Sequence, residues 1–298
     1  MRFRYIAPLG IAAAGATAVA YAAGVELRAF QLRTVDVPVL PPGSDPVRVL
    51  HISDVHLIPR QGRKIAWLRS LAALEPDLVV NTGDSIAHPE AVPTIGHALE
   101  PLLQFPGVFI YGSNDYYAPQ LKNPARYLWQ QPGGRFTGRT PQLPWDKLGA
   151  ELSAAGWEDV THRTIRVPAA GLDVQVTGID DSHIGADRYE KVAGVADSAA
   201  DVRLAVMHSP EPRNLDQFTD EGYELLLAGH THGGQVRIPG YGALVTNCGI
   251  DRARVRGLSR YGPAWLHVSA GLGTSPYAPV RFACPPEATL LTLVPRIR

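Results

Sequence analysis

The 298-residue chain has two cysteines, Cys248 and Cys284, and no C-x-x-C pair. That argues against a structural zinc site or a redox motif built on paired thiols. It leaves open one disulfide, in an oxidising compartment, or two unpaired core thiols. Net charge is also lacking, because 28 basic residues balance 28 acidic ones. Without a global basic field, general nucleic-acid binding is not expected. There is no internal repeat. What is present, 45% hydrophobic against 19% charged residues, suits a globular protein with a sizeable core.

Charge is missing locally as well. Residues 5–25 carry none, and Arg2 and Arg4 precede them. A helix of that length spans roughly 30 Å, enough for a bilayer core. The segment is rich in alanine and glycine, and Ala20-Tyr21-Ala22 offers a signal-peptidase site. A retained single-pass membrane anchor and a cleaved signal are both open. Either places the domain outside the cytoplasm. Residues 1–4 then form a short basic N-terminus and residues 26–46 a linker, which carries four prolines between 37 and 46. The folded domain is expected over residues 47–298.

Beyond the linker, short β-branched runs alternate with helical spacing. Strands are predicted over 47–52, 78–81 and 108–111, and helices over 61–74 and 89–104. That alternation implies crossovers that cover a sheet with helices, an α/β fold. A hairpin follows over 164–177, then strands over 203–207 and 224–228 around a helix at 213–218, and closing strands at 265–269 and 289–294. Residues 118–144 stand apart. They interleave Lys122, Arg126, Arg135 and Arg139 with Tyr127, Trp129 and Phe136 among many prolines. A connection this long is either a solvated loop or functional, and here we assign it to a substrate wall.

The feature around which the chain is organised is Gly229-His230-Thr231-His232-Gly233-Gly234-Gln235, just after an apolar run. In near-extended backbone, residues two apart point the same way, so both histidines can reach one site or two adjacent ions. The glycines give the turn freedom and leave room for a ligand. Four other predicted strands also end in polar residues: Asp54 and His56, Asp84, Asn114 and Asp115, and His208. Sites in open α/β sheets form beyond the carboxyl ends of strands, so these side chains should converge. Singly, each reads as a cap, a turn residue or a loop histidine. Together they form a mixed imidazole and carboxylate set suited to Mn, Fe, Zn or Co, and large enough for two divalent metal ions.

Asp54-Val55-His56, Gly83-Asp84, Gly112-Ser113-Asn114-Asp115, His208 and Gly229-His230-Thr231-His232 together resemble the calcineurin-like metallophosphoesterases. The likeness is nearest to a membrane-associated branch with a GHTHGGQ signature, and it extends over residues 47–294. It implies a four-layer α/β/β/α sandwich. Asp54, His56 and His232 would hold one metal, Asp84 would bridge, and Asn114, His208 and His230 would hold the second, with a bridging hydroxide as nucleophile.

One motif departs from the family, which usually reads Gly-Asn-His-Asp/Glu where this chain reads Gly112-Ser113-Asn114-Asp115. Either Ser113 takes the ligand position, or the register shifts so that Asn114 is the ligand and Asp115 replaces the histidine. We adopt the shift, because an amide oxygen ligates better than a neutral hydroxyl. Asn114, Asp115 and His208 are then the expected catalytic contacts. Loss of a general acid costs roughly 10²–10⁴-fold where the leaving group is poor. A phosphodiester or pyrophosphate is therefore expected, and the resemblance to the membrane-associated branch, with the tether, implies an envelope- or lipid-related one. The alternatives are a phosphomonoesterase or nuclease on the same metals, or a metal-binding envelope protein whose catalysis has lapsed. His183 is the remaining candidate for the missing imidazole, with a plain loop residue as the other reading.

Overall fold

The computed structural model describes residues 6–121 and 141–296, except for the side chains of residues 6–14. Its helices are α1 (Ile6–Gly24), α2 (Gly62–Ser70), α3 (Val92–Leu99), α4 (Ser113–Tyr116), α5 (Trp145–Ala154) and α6 (Pro212–Asp220). The first seven strands are β1 (Gln31–Leu40), β2 (Val47–Ile52), β3 (Leu78–Asn81), β4 (Gly107–Phe109), β5 (Glu158–Asp159), β6 (Arg163–Ala169) and β7 (Leu172–Gly178). The rest are β8 (Val202–Val206), β9 (Leu225–Ala228), β10 (Arg237–Ile238), β11 (Gly242–Ala243), β12 (Gly257–Tyr261), β13 (Ala264–Val268) and β14 (Glu287–Pro295).

Two six-stranded sheets result, in the orders β1-β14-β2-β3-β4-β5 and β12-β13-β9-β8-β7-β6. Period-two alternation in β2 explains how they stack. Leu50 and Ile52 face Leu68 of α2 and Ile95 and Leu99 of α3. Val47 and Val49 face the second sheet, in one cluster with Leu204, Val206, Leu225 and Leu227. On that sheet's far side, Leu226 and Leu266 pack with Leu215 and Phe218 of α6. The architecture is the expected α/β/β/α sandwich. The central parallel strands β3 and β9 are buried along their whole length, as parallel strands covered on both faces must be.

The expected linker is not one. Within residues 26–46, β1 pairs in parallel with β14 from Gln31↔Glu287 onward and buries Val37, Val39 and Leu40. Its proline is tolerated because β1 is an edge strand, with one row of backbone groups lacking a neighbour strand in any case. The uncharged N-terminal stretch is helical over Ile6–Gly24. Among the described residues no helix is long and apolar enough to cross a membrane. The end of α1 docks on the domain: Ala22 O accepts from the Arg281 N–H at 3.2 Å, and buried Glu26 accepts from the N–H groups of Ala283 and Cys284. Both cysteines are buried free thiols, which removes the disulfide option.

Candidate active site

The carboxyl ends of β2, β3, β8 and β9, together with α4 just after β4, converge as the motif pattern predicts. Asp54, His56, Asp84, His208 and His230 are all buried there. Asp84 Oδ2 lies 3.3 Å from His56 Nε2 and 3.4 Å from His208 Nε2, between the two rings. Asp54 Oδ1 lies 3.5 Å from His232 Nε2 and 3.9 Å from His56 Nε2. Two groups able to hold a metal emerge, Asp54–His56–His232 and Asp54–Asp84–His208.

The backbone is unusual at these positions. Asp54 (φ 48°), His56 (φ 43°), Asp84 (φ 54°), His230 (φ 67°) and His232 (φ 49°) are all left-handed. For a residue with a Cβ this costs about 1–2 kcal/mol, and such strain gathers where function requires it. The near-extended backbone expected for His230 and His232 is therefore wrong. A left-handed turn at each sends His232 toward His56 and His230 toward the His208 ring, 5.2 Å away. His230 lies outside both three-residue groups. Its Nε2 meets both Asn247 O at 3.1 Å and the Asn247 side-chain amide at 3.3 Å.

Lone-pair directions test whether the residues fit a metal. His208 Nδ1 donates to Thr82 O at 2.7 Å, which aims its buried Nε2 at Asp84 Oδ2, as a donor while the ring is protonated and as a lone pair in the neutral ring that a metal would take. His232 Nδ1 donates to Gly273 O at 3.1 Å, which directs its bare Nε2 at His56 Nε2, 3.3 Å away. His56 Nδ1 is buried without a partner, so its Nε2 either donates to His232 Nε2 or, in the other tautomer, shares a cation with it. Metal–ligand bonds of about 2 Å set neighbouring donors roughly 3.3 Å apart, and these separations match. Carbonyls that fix the tautomers are the usual support for metal-binding histidines. The residues fit.

Electrostatics agree. Burial lowers His56 to a pKa of about 4 and both His230 and His232 to about 3, so these imidazoles are neutral and able to ligate. Burial alone would raise Asp84, but His208 and His56 hold it well below the carboxylate range. Burial lowers His208 as well, yet the carboxylates of Asp84, Asp181 and Asp54 outweigh it and raise it well above 6.5. Asp84 and His208 thus share a place for a positive charge.

Asn114 belongs to the site. Its backbone N–H donates to Asp84 Oδ1 and its amide to Asp84 Oδ2. Asp115 does not, and contrary to expectation its carboxylate does not take the place of the missing histidine. Its Oδ1 accepts from the N–H groups of Ser85 and Ile86, and its Oδ2 from Gly112 N–H at 3.0 Å. The cause is α4, a single turn that starts just after Gly112, so the third residue folds back to cap it. Burial and the Asp84 carboxylate push Asp115 up to about 7, against the pull of those N–H donors. Ser113 is tied through its backbone: its N–H donates to Asp181 Oδ2 and its carbonyl accepts from Tyr117 N–H.

The glycines of the 229–235 loop hold close packing rather than room for a ligand. A Cβ on Gly229 would lie 1.9 Å from Ser53 Oγ, and one on Gly234 2.4 Å from the Ala243 Cβ. His183 lies at the site: its ring is 4.7 Å from that of His230, and its buried Nδ1 has no partner. Sequence reasoning missed Arg281. Wholly buried, it donates to the carbonyls of Ala270, Gly271 and Gly273, the last of which orients His232. Nothing in its proline-rich context marked it. Of the expected substrate wall, residues 122–140 lie outside the described residues. Its two ends meet where Tyr117 bridges to Gln142, directly after α4.

A family model described as calcineurin-like phosphoesterase matches residues 47–234. The chain belongs to that family. As a calcineurin-like phosphoesterase it is a metal-dependent phosphoester hydrolase, and Asp54, His56, Asp84, His208 and His232 can hold its metals. It is 28% identical over 272 residues to the uncharacterised metallophosphoesterase YkuE of Bacillus subtilis, covering 87% of this chain and 83% of that one. It is 30% identical over 147 residues to the phosphodiesterase YaeI of Escherichia coli, with 49% and 51% covered. A bovine transmembrane protein with a metallophosphoesterase domain is 26% identical over 225 residues, with 68% and 44% covered.

Proposed function

We propose that this phosphoesterase binds two divalent ions, from among Mn, Fe, Zn and Co, and hydrolyses a phosphodiester or pyrophosphate borne by a membrane. The observation that carries the reading is the placement of Asp84 Oδ2 between His56 and His208, with Asn114 on the same carboxylate and no imidazole following it. Divalent ions held there supply Lewis acidity toward phosphoryl oxygens and lower the pKa of a bound water. The protein's own residues do the rest. Asp54 and Asp84 present carboxylate oxygens from strained turns, and carbonyls lock the tautomers of His208 and His232. Asn114 brings a neutral amide beside Asp84, and the carboxyl of the residue after it, Asp115, is turned onto backbone N–H groups instead of toward a leaving group. A departing group that needs no proton is favoured by that arrangement.

The membrane part of the reading rests on the uncharged segment at residues 5–25 and on the docking of its helical end against the catalytic domain. The relative named as a transmembrane protein points the same way, and the one named as a phosphodiesterase supports the diester. Residues 118–144, whose described ends meet at Tyr117 and Gln142 just after α4, would then wall the substrate. The test is a metal-supplemented panel: bis(p-nitrophenyl) phosphate, a lipid-linked pyrophosphate, an alkyl phosphomonoester and DNA. The diester and pyrophosphate should rank first. A monoester or DNA ranking first would replace the reading, and no turnover with full metal occupancy would point to a lapsed catalyst.

A further inference from the structure

We infer that the β10–β11 hairpin is a membrane-contact surface, seated on an anionic bilayer at headgroup depth so that the ligand loop faces the lipid. The inference rests on the membrane reading above and adds to it a surface and an orientation.

The hairpin grows directly out of the loop that carries His230 and His232, and its two faces differ. On the inner face, Ala243 sits against Gly234, while Arg237 pairs opposite Ala243 and donates to Gly233 O at 2.9 Å. That face is fixed to the ligand loop. On the outer side, Ile238, Tyr241 and Leu244 are 48%, 61% and 43% exposed. Turn tips are ordinarily polar, and contiguous exposed apolar side chains mark a contact surface.

The patch continues beyond the hairpin. Phe282 N–H donates to Gln235 O, Arg237 N–H donates to Phe282 O, and the Gln235 amide donates to Ala278 O, which brings exposed Tyr277 alongside. The Phe282 ring meets half-exposed Tyr21 edge-on at 6.3 Å. Tyr21 belongs to the last turn of α1, so the apolar surface runs into the uncharged N-terminal segment. That continuity favours a bilayer over a protein partner.

Charge favours the same occupant. Arg281 is buried, Arg256 pairs with Glu287 and Arg254 with Asp251, which leaves Arg252 as the cation set against the hairpin tip. Arg252 lies over the Tyr241 ring at 4.8 Å and donates to its hydroxyl at 2.7 Å, which puts a guanidinium beside the apolar tip. Tyrosine with arginine above an aliphatic tip is the chemistry of the headgroup layer, where aromatic rings are amphipathic and cations meet phosphate.

The experiment uses the full chain with vesicles of phosphatidylglycerol and phosphatidylcholine. Tyr241→Cys and, separately, Val195→Cys carry an environment-sensitive fluorophore; both native thiols are buried and Val195 is 87% exposed. Quenching by lipids spin-labelled near the headgroup is expected at position 241 and not at 195. A vesicle-bound chain whose 241 probe is as unquenched as the 195 probe overturns the inference. A chain that stays with the aqueous phase overturns the membrane reading beneath it. In parallel, Ile238→Asp combined with Tyr241→Asp should lower turnover of a vesicle-borne phosphodiester about tenfold, while bis(p-nitrophenyl) phosphate hydrolysis stays near wild type. Equal loss on both substrates, or no loss on either, also overturns it.

Discussion

Asn114 meets Asp84 twice, its backbone N–H donating to Oδ1 and its side-chain amide to Oδ2, each at 2.7 Å. The contact puts the amide within a metal's reach of the carboxylate expected to bridge. Ser113, one residue earlier, is engaged only through its backbone. Asn114→Ala should therefore lower metal content and reduce kcat/KM at least tenfold, whereas Ser113→Ala should stay within about threefold of wild type. Metal analysis alongside steady-state kinetics distinguishes them. A large loss in Ser113→Ala alone would assign the ligand to the serine.

Asp84 lies between the two imidazoles of His56 and His208, so Asp84→Ala should lose metal from both sites together and abolish turnover. Mass spectrometry of the native protein reads occupancy directly. Two ions retained in that variant would remove Asp84 from the bridging role.

Gly112 tests how tightly the site is built. Its φ of −110° is ordinary, but a Cβ there would lie 2.2 Å from Asp84 Oδ1 and 2.7 Å from His208 Cε1. Gly112→Ala must displace one of them. Metal affinity is expected to fall about 10–100-fold, with a melting temperature little changed in the presence of chelator. An unaltered titration with Mn would show that the carboxylate can yield without loss.

His183 is the imidazole beside the site that no ligand role uses. Any turnover of alkyl esters should depend on it, and His183→Ala is expected to lower kcat/KM on them roughly 10²-fold. p-Nitrophenyl esters, whose leaving group needs no proton, should lose little. An equal loss across a leaving-group series would make His183 a packing residue.

The His51–His267 pair sets a stability window. Their Nδ1 atoms lie 2.8 Å apart between the sheets, so one ring must donate and the other accept. Burial and neighbouring Arg33 lower His267 from 6.5 to about 4, although Glu287 pulls upward; burial and His267 lower His51. Between pH 6.5 and 4 the unfolded chain binds protons that the folded chain refuses. Stability therefore falls as pH drops through that window, by about 3 kcal/mol from His267. Urea unfolding in chelator should show a shallower acid loss for His267→Gln than for wild type. Parallel curves would contradict the assignment.

The chemistry was legible in the sequence because each ligand follows a short apolar run, and parallel strands bring their carboxyl ends to one edge whatever their detailed packing. Asp54, His56, Asp84, His208 and the two loop histidines could be named on that ground alone. So could the layered fold, since the hydrophobic period changes from strand to helix along the chain. What depends on contacts distant in sequence was not legible. The strand at residues 31–40 looks like a proline-rich linker until β14, more than 240 residues later, supplies its partner. Asp115 reads as a catalytic substitute until α4 turns its carboxylate back onto the N–H groups of Ser85, Ile86 and Gly112. Arg281 has no local signal, because the carbonyls it meets lie 8–11 residues back on the same connection and reach it only through that connection's tertiary path. Residue type and order along the chain determined which atoms can ligate. The direction of each lone pair, and the side of the loop left apolar, were decided by backbone turns and packing that exist only in the folded molecule.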